Sequence, residues 1–436
     1  MPSQPQPQPN TELQRVLAAE GVSNFGAMLS RVAIPWLAAL ALDATPLEMA
    51  MLLVADVAAA ALGAMLLGAW VERRGKRAVM LICDGARAGV LAVLALLAWR
   101  GAATMPLLAL AAAANGVLTM AFEVARSAWM AQRVAVGERV EANARLSVAT
   151  SVSETVAFAL GGWLFQWLGA VVALAVDAAS YVASALCLRG VREVPVAIAP
   201  MGGPMSAPMC APISAPTSAP SAGWIARSGQ ACRQAARDTA AGLAVVTAHP
   251  VLRSLAVIEI LMALSMSLAG TSYTIYVARD LALPTGLLGL IFAVGGVGAV
   301  IGARMAVAVP QHIGVGWAMV AGLAAVALGA ACIPLATGAG LFAITLLVVH
   351  QLVGDGGHAL FAVHDRTLRQ TVVPAVLLAR ADSSIRFGGQ LAQLAGALVG
   401  GLVGDALGAR SALVLCAAVL CAAAVYAAWQ NPVLTQ

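Results

Sequence analysis

The chain has 436 residues, 61% of them apolar and 10% charged, with a mean hydropathy of +0.89 and a formal charge of +5. Soluble domains run near about 45–50% apolar and about 25% charged, so a soluble enzyme is excluded and an all-α polytopic membrane protein is expected. The apolar runs are long and uninterrupted rather than alternating with period two, which excludes an outer-membrane barrel.

Residues 1–15 open with a Pro- and Gln-rich stretch lacking the cationic start of a secretory signal, and read as a disordered cytosolic tail. A spanning helix needs about 20 predominantly apolar residues. Runs of that kind fall at 16–40, 47–70, 79–99, 105–128, 145–168 and 170–188, which makes 16–188 a six-helix half. The segment 189–250 differs in kind, because Pro200, Pro204, Pro208, Pro212, Pro216 and Pro220 recur at every fourth position among Ala, Ser and Met. Such a stretch cannot bury a core and reads as a cytosolic linker. Its last part, Trp224 to His249, carries Arg227, Arg233 and Arg237 and is expected to form a short surface helix. A second half, 251–429, follows with runs at 252–277, 286–309, 315–336, 339–363, 384–405 and 410–429, ahead of a cytosolic tail at 430–436.

With twelve spans and an internal N-terminus, the even-numbered spans end in the cytosol. Most of the arginines, among them Arg73, Arg74, Arg77, Arg189, Arg192 and Arg366, fall there, against only Arg100, Arg279 and Arg410 at external loops. That asymmetry obeys the positive-inside rule and predicts a multi-pass protein of a bacterial inner membrane with both termini cytosolic. The net positive charge is therefore topogenic, and no nucleic-acid partner is expected.

The halves also resemble each other. Asn143 falls on Asp382, Gly161-Gly162 on Gly400-Gly401 and Gly169 on Gly408, each at an offset of 239 (382−143, 400−161, 408−169). Upstream, Asp43 and Pro46 match Asp280 and Pro284 at 237 and 238. A six-plus-six repeat is the architecture of transporters whose site lies between the halves near the bilayer midplane.

Between the second and third spans stands Gly68-Ala69-Trp70-Val71-Glu72-Arg73-Arg74-Gly75-Lys76-Arg77. It resembles the G-x-x-x-D-R-x-G-R-R signature of the major facilitator superfamily, with Glu72 in place of the usual Asp. The physics suits a gate: Gly68 permits close helix approach, Gly75 a tight turn, and Glu72 an ion–dipole contact with a helix N-terminus. The alternative is an ordinary positive-inside loop. Asp84-Gly85-Ala86-Arg87, Glu141-Ala142-Asn143-Ala144, Gly161-Gly162 and Val176-Asp177-Ala178-Ala179-Ser180-Tyr181 resemble the branch holding the enterobactin exporter and the macrolide efflux proteins. That resemblance implies a twelve-helix fold of two pseudo-symmetric halves and proton-driven efflux of a siderophore, macrolide or other drug, as an antiporter. The loop after the eighth span, Arg304 to Gly316, keeps almost none of the signature.

Ionisable residues inside spans are costly and mark function by default. Arg31, Asp56, Glu154, Glu259 and Asp355 are of this kind and are candidates for proton coupling or the substrate cavity. Coupling needs a carboxylate that responds to desolvation and to a nearby cation. Arg31 with Glu154 or Asp56 could supply this; Glu154 is the first choice, since the repeat sets neutral Gln393 opposite it, with Asp56 or Asp355 next, and a permanent structural ion pair is the alternative. Glu123 with Arg126, and Asp84 with Arg87, stand three residues apart on one helix face and are expected to brace the gate. Tyr273, Tyr276, Phe292, Phe361 and Phe387 could stack on an aromatic ligand, although packing is the commoner fate.

Seven cysteines, at 83, 187, 210, 232, 332, 416 and 421, form no C-x-x-C arrangement, and His350 and His358 lack a dense set of co-ligands. No metal and no cofactor is expected. A Walker segment, H-E-x-x-H and G-x-S-x-G are absent, which argues against ATP hydrolysis and intramembrane catalysis. The expected partners are a small-molecule substrate, protons and the lipid bilayer, with the chain acting as a monomer. Symport import or lipid transfer uses the same fold; a membrane receptor would need a folded soluble domain that the linker does not supply.

Overall fold

The computed structural model describes residues 9–134, 138–193, 242–373 and 375–431. Among these residues there are twelve long helices and no strand. They are α1 (Pro9–Ala41), α2 (Pro46–Arg73), α3 (Lys76–Trp99), α4 (Met105–Arg133), then α5 (139–168) and α6 (170–189), which run together through Arg139–Arg189. The second set is α7 (Pro250–Ile275, prolonged by a wide turn at Tyr276–Asp280), α8 (Thr285–Ile313), α9 (Val315–Leu335), α10 (Leu341–Val372), α11 (Ala375–Leu407) and α12 (Ala409–Trp429). In hydrocarbon every backbone N–H and C=O must be satisfied within the segment, so the apolar runs become helices. Even α9 and α12, of 21 residues each, reach about 32 Å at 1.5 Å per residue, enough to cross a core of about 30 Å.

The repeat read from the sequence is a repeat in space. Gly169 divides α5 from α6 at φ 75°, ψ 174°, and Gly408 divides α11 from α12 at φ 88°, ψ 154°. A side chain is strained in that region and glycine is not, so both corners need the residue they have. Within the first half α2 packs on α4, and within the second α8 packs on α10; across the halves α5 meets α8 and α2 meets α11. The close approaches are built at equivalent points. A Cβ added to Gly63 of α2 would press on Val117 of α4, and one added to Gly302 of α8 would strike the carbonyl of Gly356 on α10. Both partners obey the same offset (302−63 and 356−117 are each 239).

Two sequence expectations need adjusting. Helix α1 begins at Pro9, inside the expected tail of 1–15, because its first turn is held: Glu12 is buried and pairs with Arg133 of α4 at 3.7 Å. The structural counterpart of Asp43 is Ala282 rather than Asp280, since these two carry the left-handed turns (both φ 50°) that lead into α2 and α8. The wide turn at the end of α7 displaces Asp280 from that position, and the offset returns to 239 (282−43). The rest of the expected tail, most of the linker 189–250 and 432–436 lie outside the described residues; of the expected surface helix, 242–248 is described and helical.

The apolar core is asymmetric along the helix axes. At the end away from the described termini one cluster joins both halves, through Trp36, Leu37 and Tyr181 on one side and Ile275, Leu283 and Leu288 on the other. At the end nearer the termini the clusters are separate: Val16, Met80, Phe122 and Trp129 in the first half, Leu255, Leu323, Phe361 and Leu420 in the second. Among the described residues, apolar clusters thus join the halves at one end and stay within each half towards the other. The Gly302 contact is tight enough that Gly302→Ala should destabilise the fold by about 1–3 kcal/mol through overpacking. Gly85→Ala, where nothing lies within 4 Å of the added methyl, should leave the thermal midpoint unchanged or slightly raised in the same detergent melt.

Candidate functional site

The signature between α2 and α3 braces one half internally. Glu193 accepts hydrogen bonds from the backbone N–H groups of Arg77 (3.1 Å) and Ala78 (3.0 Å), capping α3. Arg77 in turn donates to the carbonyls of Leu188 (3.1 Å) and Arg189 (2.7 Å), capping the end of α6. Each charge meets the helix end its sign suits. Gly75 is required beside this pair, since any Cβ would run into the Glu193 carboxylate. Lys76 is buried and donates to the Arg74 carbonyl at 3.3 Å. Gly68, Glu72 and Arg73 lie on the last turns of α2, with side chains outside the described residues.

Asp84 and Arg87 form the expected pair, both buried. Asp84 also accepts from Ser184 of α6 at 2.7 Å, and the Arg87 guanidinium lies over the rings of Phe122 (4.6 Å) and Tyr181 (4.2 Å). A desolvated cation between two aromatic faces is a strong cation–π arrangement, so this knot ties α3, α4 and α6 together. Glu123 and Arg126 do not pair with each other: Arg126 bonds to Glu20 of α1, and Glu123 is exposed.

The second half has its own charged hub. Arg369 of α10 meets Asp365 at 2.9 Å, Glu259 of α7 at 3.6 Å and Asp382 of α11 at 3.6 Å. It corresponds to the Arg126–Glu20 pair, because Glu259 stands at Glu20 and Asp365 at Arg126 (259−20 and 365−126 are each 239). Sequence inspection of spans alone passes over Glu20, Asp365 and Arg369; the offset finds Glu20 and Asp365, while Arg369 falls on Met130 and is found only in the structure. These contacts all remain within a half.

Contacts between halves sit at the packed end and are reciprocal. The Leu47 N–H at the start of α2 donates to Asp405 of α11 at 3.1 Å, and the Gly286 N–H at the start of α8 donates to Gln166 of α5 at 2.8 Å. Donor and acceptor are both repeated at 239 (286−47 and 405−166). Arg279 adds a third tie, donating to the Ala39 carbonyl (3.1 Å from Nε) and standing 3.5 Å from Asp43. None of these residues, all near helix ends, stands out by composition.

The intramembrane acids show a further exchange. Asp56 of α2 seats its carboxylate against Gly116 of α4, whereas Asp355 of α10 seats its own against Gly295 of α8. By the repeat, Asp56 corresponds to Gly295 and Gly116 to Asp355 (295−56 and 355−116 are each 239). Each half therefore holds one carboxylate over one glycine at the same helix contact, supplied from opposite helices. Arg31 lies within electrostatic reach of Asp56. Among the described ion pairs none joins Arg31 to Glu154, which is half-buried on α5.

Beside Arg31 a cavity of about 130 Å³ opens between the halves, where α1 and α5 face α7 and α8. Its wall is Arg31, Trp36, Phe158, Tyr273, Leu288 and Phe292, with Val32, Thr274 and Val277. Phe158 and Phe292 are 5.6 Å apart between centroids, and Tyr273 is 5.9 Å from Phe292 and 6.3 Å from the His350 ring. Tyr273 and Phe292 were legible as possible stacking residues; Trp36 and Phe158 were not. Tyr276 is committed elsewhere, donating to the Ala336 carbonyl, and Phe361 is core, while Phe387 is exposed. Among the described residues no group of three His, Cys, Asp or Glu is arranged to hold a metal.

The sequence profile of the Major Facilitator Superfamily matches residues 16–237. No curated protein matches the sequence. Among solved structures, a bacterial homologue of the iron transporter ferroportin in an inward-facing state superposes with a TM-score of 0.71 at 15% identity, over 98% of this chain and 100% of that one. The nucleoside transporter NupG gives 0.70 at 13% over 98% and 100%. A bacterial homologue of the human lysosomal transporter Spinster, inward-facing and unoccupied, gives 0.69 at 14% over 99% and 98%. At such identities the likeness is one of fold.

The reciprocal ties predict a conformational effect. A hydrogen bond of this kind contributes about 0.5–1.5 kcal/mol, so Asp405→Ala with Gln166→Ala should move the balance roughly tenfold or more towards opening at this end. Spin labels at Leu168 and Leu407, both exposed at the packed end, should then report a longer distance population absent from the parent protein.

Proposed function

The chain belongs to the Major Facilitator Superfamily, and from that premise we propose that it carries a small amphipathic molecule coupled to protons, by alternating access, with Asp56 as the proton carrier and Arg31 as its counter-charge. It is a multi-pass membrane transporter, not an enzyme. The observation that carries the proposal is Arg31, exposed in a cavity between the halves with the Asp56 carboxylate in its field. Glu154, the first choice from sequence, lacks that relation to Arg31 among the described contacts. The protein works as a monomer in a bacterial inner membrane with cytosolic termini; on that topology the parted end opens inward, and the signature at 68–77 is the inner gate.

Linkage sets the direction. A ligand that neutralises Arg31 leaves Asp56 without its counter-charge and favours its taking a proton, so ligand and proton bind together and the inward proton gradient drives uptake. The geometry favours this direction, because Arg31 is the one charged residue lining the cavity among the described residues. Export in exchange for protons is the second reading, favoured by the resemblance of the stretches at 84–87 and 176–181 to exporters of siderophores and macrolides.

Both readings are tested in cells producing the protein, by following a panel of siderophores, macrolides and dyes with and without a protonophore. Uptake predicts that the uncoupler lowers accumulation; export predicts that it raises it. In either case Asp56→Asn should abolish the uncoupler effect while Glu154→Gln, at equal membrane abundance, retains at least half of it. The reverse result would restore Glu154 as the coupling acid.

A further inference from the structure

The chemistry of the cavity wall narrows the ligand. We propose that the cavity between α1, α5, α7 and α8 binds an aromatic organic anion, with Arg31 meeting the anionic group and the ring lying against Phe292, Phe158 and Tyr273. This rests on reading the cavity as the transport site. Three observations carry it. Arg31 is exposed and is the only charged residue among the described residues of the wall. The nearest intramembrane carboxylates are turned into helix contacts, Asp56 over Gly116 and Asp355 over Gly295, and neither they nor Glu154 line the cavity. Attraction for a cation would have to come from acids already committed elsewhere, whereas attraction for an anion comes from a guanidinium presented directly to the space.

The apolar part of the wall is aromatic in one continuous run. Phe158 and Phe292, then Phe292 and Tyr273, meet at tilted angles of 42° and 47°, with Trp36 in the same wall. Offset aromatic faces favour another ring over an alkyl chain. The Tyr273 hydroxyl is buried with no hydrogen-bond partner among the described residues. A guanidinium prefers a planar carboxylate, which it meets with two parallel bonds, so an aromatic carboxylate fits this wall better than a phenolate.

The test is calorimetric binding to the purified full chain in detergent, without any gradient, using 2-naphthoate, its neutral amide 2-naphthamide, octanoate and tetraphenylphosphonium as probes. Naphthoate should bind at least tenfold more tightly than the amide and more tightly than octanoate. Arg31→Gln should erase the preference over the amide, Arg31→Lys should keep part of it, and Phe292→Leu should weaken both naphthyl probes several-fold. Equal binding of acid and amide, preference for tetraphenylphosphonium, or no binding of naphthoate at millimolar concentration each overturns the inference. The acid–amide comparison uses the parent protein and so stands even if a variant fails to fold. Failure here, with uncoupler-sensitive transport intact, removes the ligand class and leaves proton coupling; naphthoate binding without an uncoupler effect removes the coupling and leaves the site.

Discussion

The centre of this molecule depends on the close approach of α2 to α4 and of α8 to α10 across glycine. At Gly302 the neighbouring helix backbone lies where a side chain would be, and at Gly63 an added Cβ would sit 3.2–3.3 Å from Val117. Lipid tails are as apolar as leucine, so helices in a bilayer gain little from burying apolar surface against one another and associate through close packing and polar contacts. Glycine makes the packing possible, and the same spacing gives Asp56 and Asp355 somewhere to put a carboxylate. Without Gly116 and Gly295 those oxygens would have to face lipid or the cavity, and the charge of the central space would change sign.

Most polar contacts are sorted by where they act. Bonds that stay inside one half, such as Glu193 to α3, Arg77 to α6 and the Arg369 hub, make each half a rigid body. Among the described residues, the hydrogen bonds between halves lie at the packed end and end on backbone groups near helix termini, with the Arg279–Asp43 ion pair beside them. A side chain accepting from one helix-terminal N–H makes a modest interaction, about 0.5–1.5 kcal/mol, strong enough to bias a conformation and weak enough to be broken in each cycle. Rocking of rigid halves around a fixed site requires that division.

The reciprocity of the repeat is not identity. Asp405 is charged where Gln166 is neutral, Asp56 answers Gly295, Arg31 answers Gly270, and Gly298 follows a spacing that Ala59 does not share. The backbone is duplicated, while the charges are distributed so that one half carries the cavity cation and each half carries one seated acid. A single Arg31 in a pseudo-symmetric space gives the ligand one orientation instead of two equivalent ones.

Sequence alone determined the twelve spans and the 239-residue offset, because span length and apolar content are fixed by bilayer thickness and backbone satisfaction. It also marked Asp84 with Arg87, whose three-residue spacing puts both on one helix face, and it singled out Arg31, Asp56 and Asp355 as charges that must have a reason to be in hydrocarbon. Partnership across helices was decided only by tertiary structure. Arg126 took Glu20 of α1 in place of nearby Glu123, and Arg31 came to share its field with Asp56 in place of Glu154, since helix rotation and crossing, which periodicity does not encode, set which faces meet. The inter-half ties end on the N–H groups of Leu47 and Gly286, and a backbone donor carries no mark in the sequence; where it lies relative to Asp405 and Gln166 is settled by how the two halves pack.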